Sequence, residues 1–175
     1  GTLLSTKDPA LNTSSYGYDI YQNLSSLTDN LNKISNYVYD ALNRQTQSTT
    51  PLGKLSKWEY DANGNITKRI DANNASTLYQ YDAFNRLIKI TYPDTKTVTF
   101  EYDNRGNRTK MIDPIGTSTY VYDNFDRLTQ ATNAYGKVLQ YTYDNANNLK
   151  TIKYPDSGTV TYTYDNNDRL VTVKD

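Results

Sequence analysis

The sequence contains neither cysteine nor histidine. Without cysteine there is no disulfide framework and no thiolate metal site, a state compatible with either side of a membrane. Without histidine the usual general base and pH switch are missing, and no Ser-His or Cys-His nucleophile pair can form. Glutamate is nearly absent, present only as Glu59 and Glu101. No apolar run approaches the roughly 20 residues of a membrane-spanning helix or forms a signal sequence. No Gly-rich phosphate loop is present. Nor is there an excess of charge of either sign: 19 basic residues balance 19 acidic ones. This balance argues against nucleic acid, whose binding rests on a basic surface that neutralises phosphates.

Few Leu, Ile, Val and Phe are available to build a dry interior. Of the 36% hydrophobic residues in 175, 18 residues are tyrosine. A two-layer globule is therefore not expected. Abundant Thr, Asn and Asp favour strands and turns over helices.

The tyrosines are periodic. Tyr-Asp occurs at Tyr18-Asp19, Tyr39-Asp40, Tyr60-Asp61, Tyr81-Asp82, Tyr102-Asp103, Tyr122-Asp123, Tyr143-Asp144 and Tyr164-Asp165, in steps of 21 residues with one step of 20 between Tyr102 and Tyr122. Two positions before each stands another aromatic: Tyr16, Tyr37, Trp58, Tyr79, Phe100, Tyr120, Tyr141 and Tyr162. Alternation such as Val98, Phe100, Tyr102 against Thr97, Thr99, Glu101 predicts a strand with both aromatics on one face, ending at the Asp.

Three residues beyond each Asp come Gln22, Asn43, Gly64, Asn85, Gly106, Asp126, Asn147 and Asp168. All but Gln22 tolerate a left-handed backbone, so the pattern predicts a type I turn closed by a G1 bulge, with the Asp carboxylate accepting N–H groups inside the turn. In the following strand apolar residues recur three apart, as Leu24 and Leu27, Leu87 and Ile90, Leu149 and Ile152, Leu170 and Val173. A bulge beside the turn would reconcile that spacing with a strand. Further turns are expected at Pro51-Leu52-Gly53, Pro114-Ile115-Gly116 and Pro155-Asp156-Ser157-Gly158. Each repeat thus reads as a hairpin. The expected fold is all-β: tandem antiparallel hairpins of about 21 residues, about sixteen short strands in a meander that twists into a long coiled sheet. Residues 1–175 are expected to form a single array of about eight repeats, cut in mid-repeat at both ends. A chain opening at Gly1 reads as a segment of a longer protein.

Tyr79-Gln80-Tyr81-Asp82-Ala83-Phe84-Asn85-Arg86-Leu87, with its seven counterparts and the Pro-x-Gly turns, resembles the YD, or RHS, repeat family. The resemblance covers the whole chain, with Gly1 aligning on Gly64 and Asp8 on Asp71. It implies hairpins wound into a spiral shell, which encloses toxic cargo in bacterial polymorphic toxins and toxin-complex proteins and forms a related surface barrel in teneurins. The family's plug-like segment and toxin domain are not found here. Asp113-Pro114-Ile115-Gly116 is similar to the family's Asp-Pro-x-Gly cleavage boundary, but regular repeats follow it, so an ordinary inter-strand turn is expected.

The residue after the left-handed position alternates strictly: Asn23, Asn65, Asn107 and Asn148 in odd repeats, Arg44, Arg86, Arg127 and Arg169 in even ones. The true period is therefore 42. Like charges then stand about 19 Å apart rather than about 10 Å, beyond the Debye length of about 8 Å. The alternation is read either as lowering repulsion while each Arg pairs with turn Asp residues, or as descent from a duplicated two-hairpin unit. Arginine at positions 65 and 107 would separate these readings, since only the first predicts lost stability at low salt.

Asp61, Asn63 and Asn65 have the opening spacing of a calcium loop. The Gly and Glu that such a loop needs further on are replaced by Ile66 and Ala72, and β-roll calcium repeats have a nine-residue period. The Asp residues recur with the turns rather than gathering in a pocket, so a carboxylate hydrolase is not expected either. The reading is a non-catalytic scaffold, with no catalytic residue, cofactor or metal, in which all sixteen Tyr-Asp residues are architectural. It would form part of a shell that encloses a toxin or other cargo, or supports a surface protein, in a secreted or cell-surface bacterial protein. The alternative is a carbohydrate- or cell-surface-binding module using its exposed Tyr faces and Trp58. The expected partners are the rest of a larger chain, cargo or a surface glycan, without nucleic acid or a membrane span. Self-association is expected through the open terminal strand edges.

Overall fold

The computed structural model describes residues 2–175, so the alignment of Gly1 lies outside the described residues. The chain divides into two compact units, residues 1–95 and 96–175. In the first, a short leading strand β1 (Ser5–Lys7) precedes four hairpins: β2 (Thr13–Tyr18) with β3 (Leu24–Thr28), β4 (Ile34–Tyr39) with β5 (Gln45–Thr49), β6 (Leu55–Tyr60) with β7 (Ile66–Ile70), and β8 (Ser76–Tyr81) with β9 (Leu87–Thr91). The second holds four more: β10 (Thr97–Tyr102) with β11 (Arg108–Asp113), β12 (Gly116–Tyr122) with β13 (Leu128–Thr132), β14 (Val138–Tyr143) with β15 (Leu149–Lys153), and β16 (Thr159–Tyr164) with β17 (Leu170–Lys174). Within each unit consecutive strands pair antiparallel, so each is an all-β meander.

The three-residue apolar spacing has the expected cause. Tyr16 faces Leu27 and Tyr18 faces Leu24, with a register shift between Gly17 and Tyr18. Two residues on one strand thus oppose three on the other, and the bulge keeps both apolar residues beside the aromatics. The same shift precedes the motif tyrosine in every hairpin, for example between Gln80 and Tyr81, where Tyr79 faces Ile90 and Tyr81 faces Leu87. Tyr141–Ile152 with Tyr143–Leu149, and Tyr162–Val173 with Tyr164–Leu170, repeat the arrangement.

Among the described residues no side chain is fully buried. The aromatics are half-buried and their strand neighbours exposed, as in β4, where Ser35, Tyr37 and Tyr39 are half-covered and Ile34, Asn36 and Val38 are open. The chain exposes 11978 Å², whereas a compact globule of this mass would expose about 8,700 Å². Stability therefore comes from contacts between neighbouring strands rather than from an interior.

The turns linking the hairpins reuse the motif turn. Asp29 N–H donates to the Lys33 carbonyl and Asn32 N–H to the Asp29 carbonyl, with Asn32 left-handed at φ 58°. Asp8, Thr50, Asp71, Asn133 and Tyr154 open turns of the same kind. Asp113-Pro114-Ile115-Gly116 is an inter-strand turn, as expected, but not an ordinary one. Asp113 pairs directly with Gly116, so only Pro114 and Ile115 form the loop, and Asp113 Oδ1 accepts the N–H groups of Ile115 and Gly116. Gly116 has φ 150°, and a Cβ there would lie 3.1 Å from that of Ala134. This loop is one residue shorter than its counterparts, which accounts for the 20-residue step.

Candidate functional site

Each motif tyrosine is the last residue of its strand and each motif aspartate opens the turn. In all eight turns the Asp N–H donates to the carbonyl four residues on, at 2.9–3.0 Å. The N–H three residues on donates back to the Asp carbonyl at 3.0–3.2 Å. The third loop residue has positive φ in every copy: Gln22, Asn43, Gly64, Asn85, Gly106, Asp126, Asn147 and Asp168. This is a type I turn with a G1 bulge, and it forms even where Gln22 departs from the favoured residue types.

The aspartate side chain completes the turn. Oδ1 accepts the N–H groups two and four residues on, as Asp40 does from Leu42 and Arg44 at 2.9 and 3.0 Å. Oδ2 accepts either Arg Nε, at 2.7 Å for Arg44, Arg86, Arg127 and Arg169, or Asn Nδ2, at 2.9–3.2 Å for Asn23, Asn65, Asn107 and Asn148. These donors hold the carboxyls below the usual range: the Asn65 amide foremost for Asp61, the Arg44 backbone N–H for Asp40, the Asn23 amide for Asp19. For Asp82, Asp103, Asp123 and Asp144 partial burial pushes upward, and the combined hydrogen bonds outweigh it.

The residue that closes one turn also reaches the next. Asn23, Asn65, Asn107 and Asn148 donate through Nδ2 to the side-chain oxygens of Asn43, Asn85, Asp126 and Asp168, the left-handed residues of the following turns, at 2.6–2.8 Å. Arg44 donates instead to the Asp61 carbonyl at 3.1 Å and lies over the Tyr60 ring at 4.5 Å. Arg127 donates to Asn147 Oδ1 at 2.8 Å and lies 4.7 Å from the Tyr143 centroid. The 42-residue alternation is thus an alternation of two turn-to-turn links. Each Arg does pair with an aspartate, the one in its own turn.

The tyrosine hydroxyls form a second line of links, which residue spacing alone does not reveal. Tyr39, Tyr60, Tyr143 and Tyr164 donate to the carbonyls of Leu24, Gln45, Leu128 and Leu149 on the neighbouring strand at 2.7–3.0 Å. Tyr18 and Tyr122 do the same to Leu3 and Arg108. Leu24 lies beyond Ser26, the last β3 residue paired with β4, so the hydroxyl serves a carbonyl that the ladder has left. Burial raises the Tyr39, Tyr60 and Tyr143 hydroxyls above their ordinary value and keeps them donors. Among the described residues Tyr81 makes no such bond.

Arg105 is another residue without a signal in the repeat. It spans to the next turn, bonding the carbonyls of Asn124 and Asp123 at 3.1 and 2.9 Å and Asp126 Oδ1 at 3.0 Å. Arg108 takes an apolar position and lies between the Phe100 and Tyr120 rings, 5.7 and 4.8 Å from their centroids. Both belong to the two hairpins joined by the shortened loop.

Asp61, Asn63, Tyr79, Tyr81 and Asp82 line an open groove. Asp61 is satisfied by N–H donors there, and Asn65 turns its amide nitrogen, not its oxygen, toward it. That orientation is the reverse of a cation site.

Against known families, the RHS repeat model matches residues 60–97, 81–117, 102–138 and 143–175, more than half of the chain. The chain belongs to the RHS repeat family. Among solved structures, TcdB2-TccC3 without its hypervariable C-terminal region is similar over 91% of this chain, at 22% identity and a TM-score of 0.75. The Photorhabdus luminescens Tc holotoxin pore is similar over 94%, at 21% identity and a TM-score of 0.73. This RHS chain covers 10% of either one, and the likeness is one of fold. Among curated proteins none matches it.

Proposed function

We propose that this RHS repeat chain is a non-catalytic scaffold, a single array of eight Tyr-Asp repeats that forms part of the wall of a larger, secreted bacterial protein. The observation that carries this reading is the engagement of the motif itself. All eight aspartates are engaged in holding their turns, and the hydroxyls of Tyr18, Tyr39, Tyr60, Tyr122, Tyr143 and Tyr164 bond to the neighbouring strand. The sixteen motif residues are architectural on this reading. The similarity to toxin-complex structures supports a wall that encloses a toxin or other cargo.

Two measurements test it. A Tyr143→Ala variant of the chain should lose folding stability without losing any specific ligand response, and a glycan array probed with the wild-type chain should be blank. A specific glycan signal that disappears with Tyr79→Ala or Trp58→Ala, in variants that still fold, would overturn the scaffold reading in favour of a carbohydrate-binding module. Enclosure has its own test: a domain carried by the same polypeptide should resist protease until the array is unfolded.

A further inference from the structure

We propose that the recess between the β5–β6 turn and the β7–β8 turn binds a carboxylate carried on a short apolar chain, and that its counterpart in the second unit does the same. The first recess is open and has a volume of about 270 Å³. Its apolar lining is Leu55 from β6, Ile70 from β7 and Ala72 from the turn that follows, all half-buried. Lys54 and Lys57 line it as well, and both are exposed.

The strand register explains why these groups meet. Lys57 pairs with Ile70, and Leu55 stands two residues before Lys57 on the same strand. Strand alternation therefore puts Leu55, Lys57 and Ile70 together on the face away from Trp58. Among the described residues neither lysine has an ion pair. Glu59, two residues beyond Lys57 and on its face, bonds Lys68 at 3.0 Å. Asp71, which precedes Ala72, gives its Oδ1 to the N–H groups of Asn73 and Ala75. No described residue lining the recess is acidic. Two uncompensated ammonium groups beside an uncovered aliphatic floor are complementary to an anionic head on an aliphatic body. The volume falls just below the roughly 300–1,000 Å³ of drug-sized sites, so that body has only a few carbons.

The second unit repeats the recess 83 residues on, with a volume of about 310 Å³. Val138, Gln140, Lys153 and Pro155 take the places of Leu55, Lys57, Ile70 and Ala72. Gln140 pairs with Lys153 as Lys57 pairs with Ile70. The cation has thus changed strands and stayed in the recess, again with no acidic residue in the described lining. In five of the six other hairpins the same pair is uncharged, as at Asn36–Thr49 and Thr119–Thr132. The repeat itself therefore does not require a cation there.

Titration of the 175-residue chain with sodium hexanoate at low salt, followed through backbone amides by NMR, tests the site. Ala72 and Asn74 at the first recess, and Gln140 and Ser157 at the second, should shift saturably. Acetate has the same charge without the chain and should bind about tenfold more weakly, the return from burying about two methylenes. Hexylamine, a cation at neutral pH, should leave these amides in place. Lys54→Gln combined with Lys57→Gln should weaken hexanoate about fivefold at the first recess. The second recess should keep its affinity in that variant, which also verifies that the chain is folded, and Lys153→Gln should do the reverse. A blocked peptide, acetyl-Leu-Glu-Leu-amide, distinguishes the sources of the carboxylate. Shifts of the same amides mark a polypeptide side chain as its carrier, shifts with hexanoate alone mark a free acid, and both uphold the site. Absence of saturable shifts at both recesses, equal affinity for acetate and hexanoate, or hexanoate binding undiminished by loss of the lysines would overturn the proposal.

Discussion

Removing single tyrosine hydroxyls tests whether the links between hairpins are as specific as their geometry implies. Tyr143→Phe deletes one O–H···O bond of 2.8 Å to the Leu128 carbonyl and leaves the ring under Arg127. A neutral hydrogen bond contributes about 1 kcal/mol net, within a range of roughly 0.5–1.5. The carbonyl left behind is partly open to water, which argues against the larger penalty of a fully buried orphan. In a chain of this size about 1 kcal/mol corresponds to a fall in Tm of roughly 2–4 °C. Tyr143→Ala removes the ring as well. Half of a burial of about 200 Å² at about 25 cal/mol per Å² adds about 2.5 kcal/mol, and loss of the cation–π contact a further ~0.5–1 kcal/mol. Urea denaturation followed by far-UV circular dichroism measures both. Tyr81 provides an internal control, because its hydroxyl makes no such bond, so Tyr81→Phe should be nearly neutral. Equal costs for Tyr81→Phe and Tyr143→Phe, or no cost for Tyr143→Phe, would refute the assignment of the hydroxyl as the link.

The acid response follows from the aspartates. Their folded pKa values are depressed, so their contribution is fully present above the unfolded carboxylate value of about 3.9 and is lost as pH falls through the lower folded values. Tm measured from neutral pH down to pH of about 2 should decline steeply only below about pH 4, and less so once Asp61 is changed to Asn. Thr95 is β-branched yet left-handed at φ 66°, so Thr95→Gly should raise stability by about 1 kcal/mol, and an unchanged denaturation midpoint would argue against strain there. Gly64, at φ 91°, should show the opposite, with Gly64→Ala costing about 1 kcal/mol. Arg105→Ala removes three contacts to the following turn and should cost no more than about 1 kcal/mol, since both partners are nearly half exposed.

The hairpin was legible because its causes are local. A two-residue aromatic spacing, an Asp, a left-handed position and a three-residue apolar spacing each report on a few bonds within one turn. The calcium-like run at Asp61 resolves by the same means, its carboxylate being filled by its own turn. What spacing could not show depends on the neighbouring strand. The acceptors of the Tyr hydroxyls lie fifteen residues back in sequence, and they become neighbours only once the register is set. The step of 20 marked a missing residue between Tyr102 and Tyr122 without saying where. The structure puts it at Pro114-Ile115, and Arg105 and Arg108 appear in the same two hairpins as added links. The left-handed Thr95 and Ser157 are imposed by the turns that contain them against the preference of the residues, which is why composition gave no sign of them.

A globule gains coverage as it grows, because volume rises faster than surface. A sheet with no fully buried side chain has no such return to size: each added pair of hairpins brings its own water-facing aromatic strip along with its bonds. Lengthening the array multiplies cohesion and wetness in the same proportion. Drying of the tyrosine face must therefore come from matter laid against it. The heat-capacity change on unfolding should accordingly be low for a chain of 175 residues, and should rise only when that face is covered.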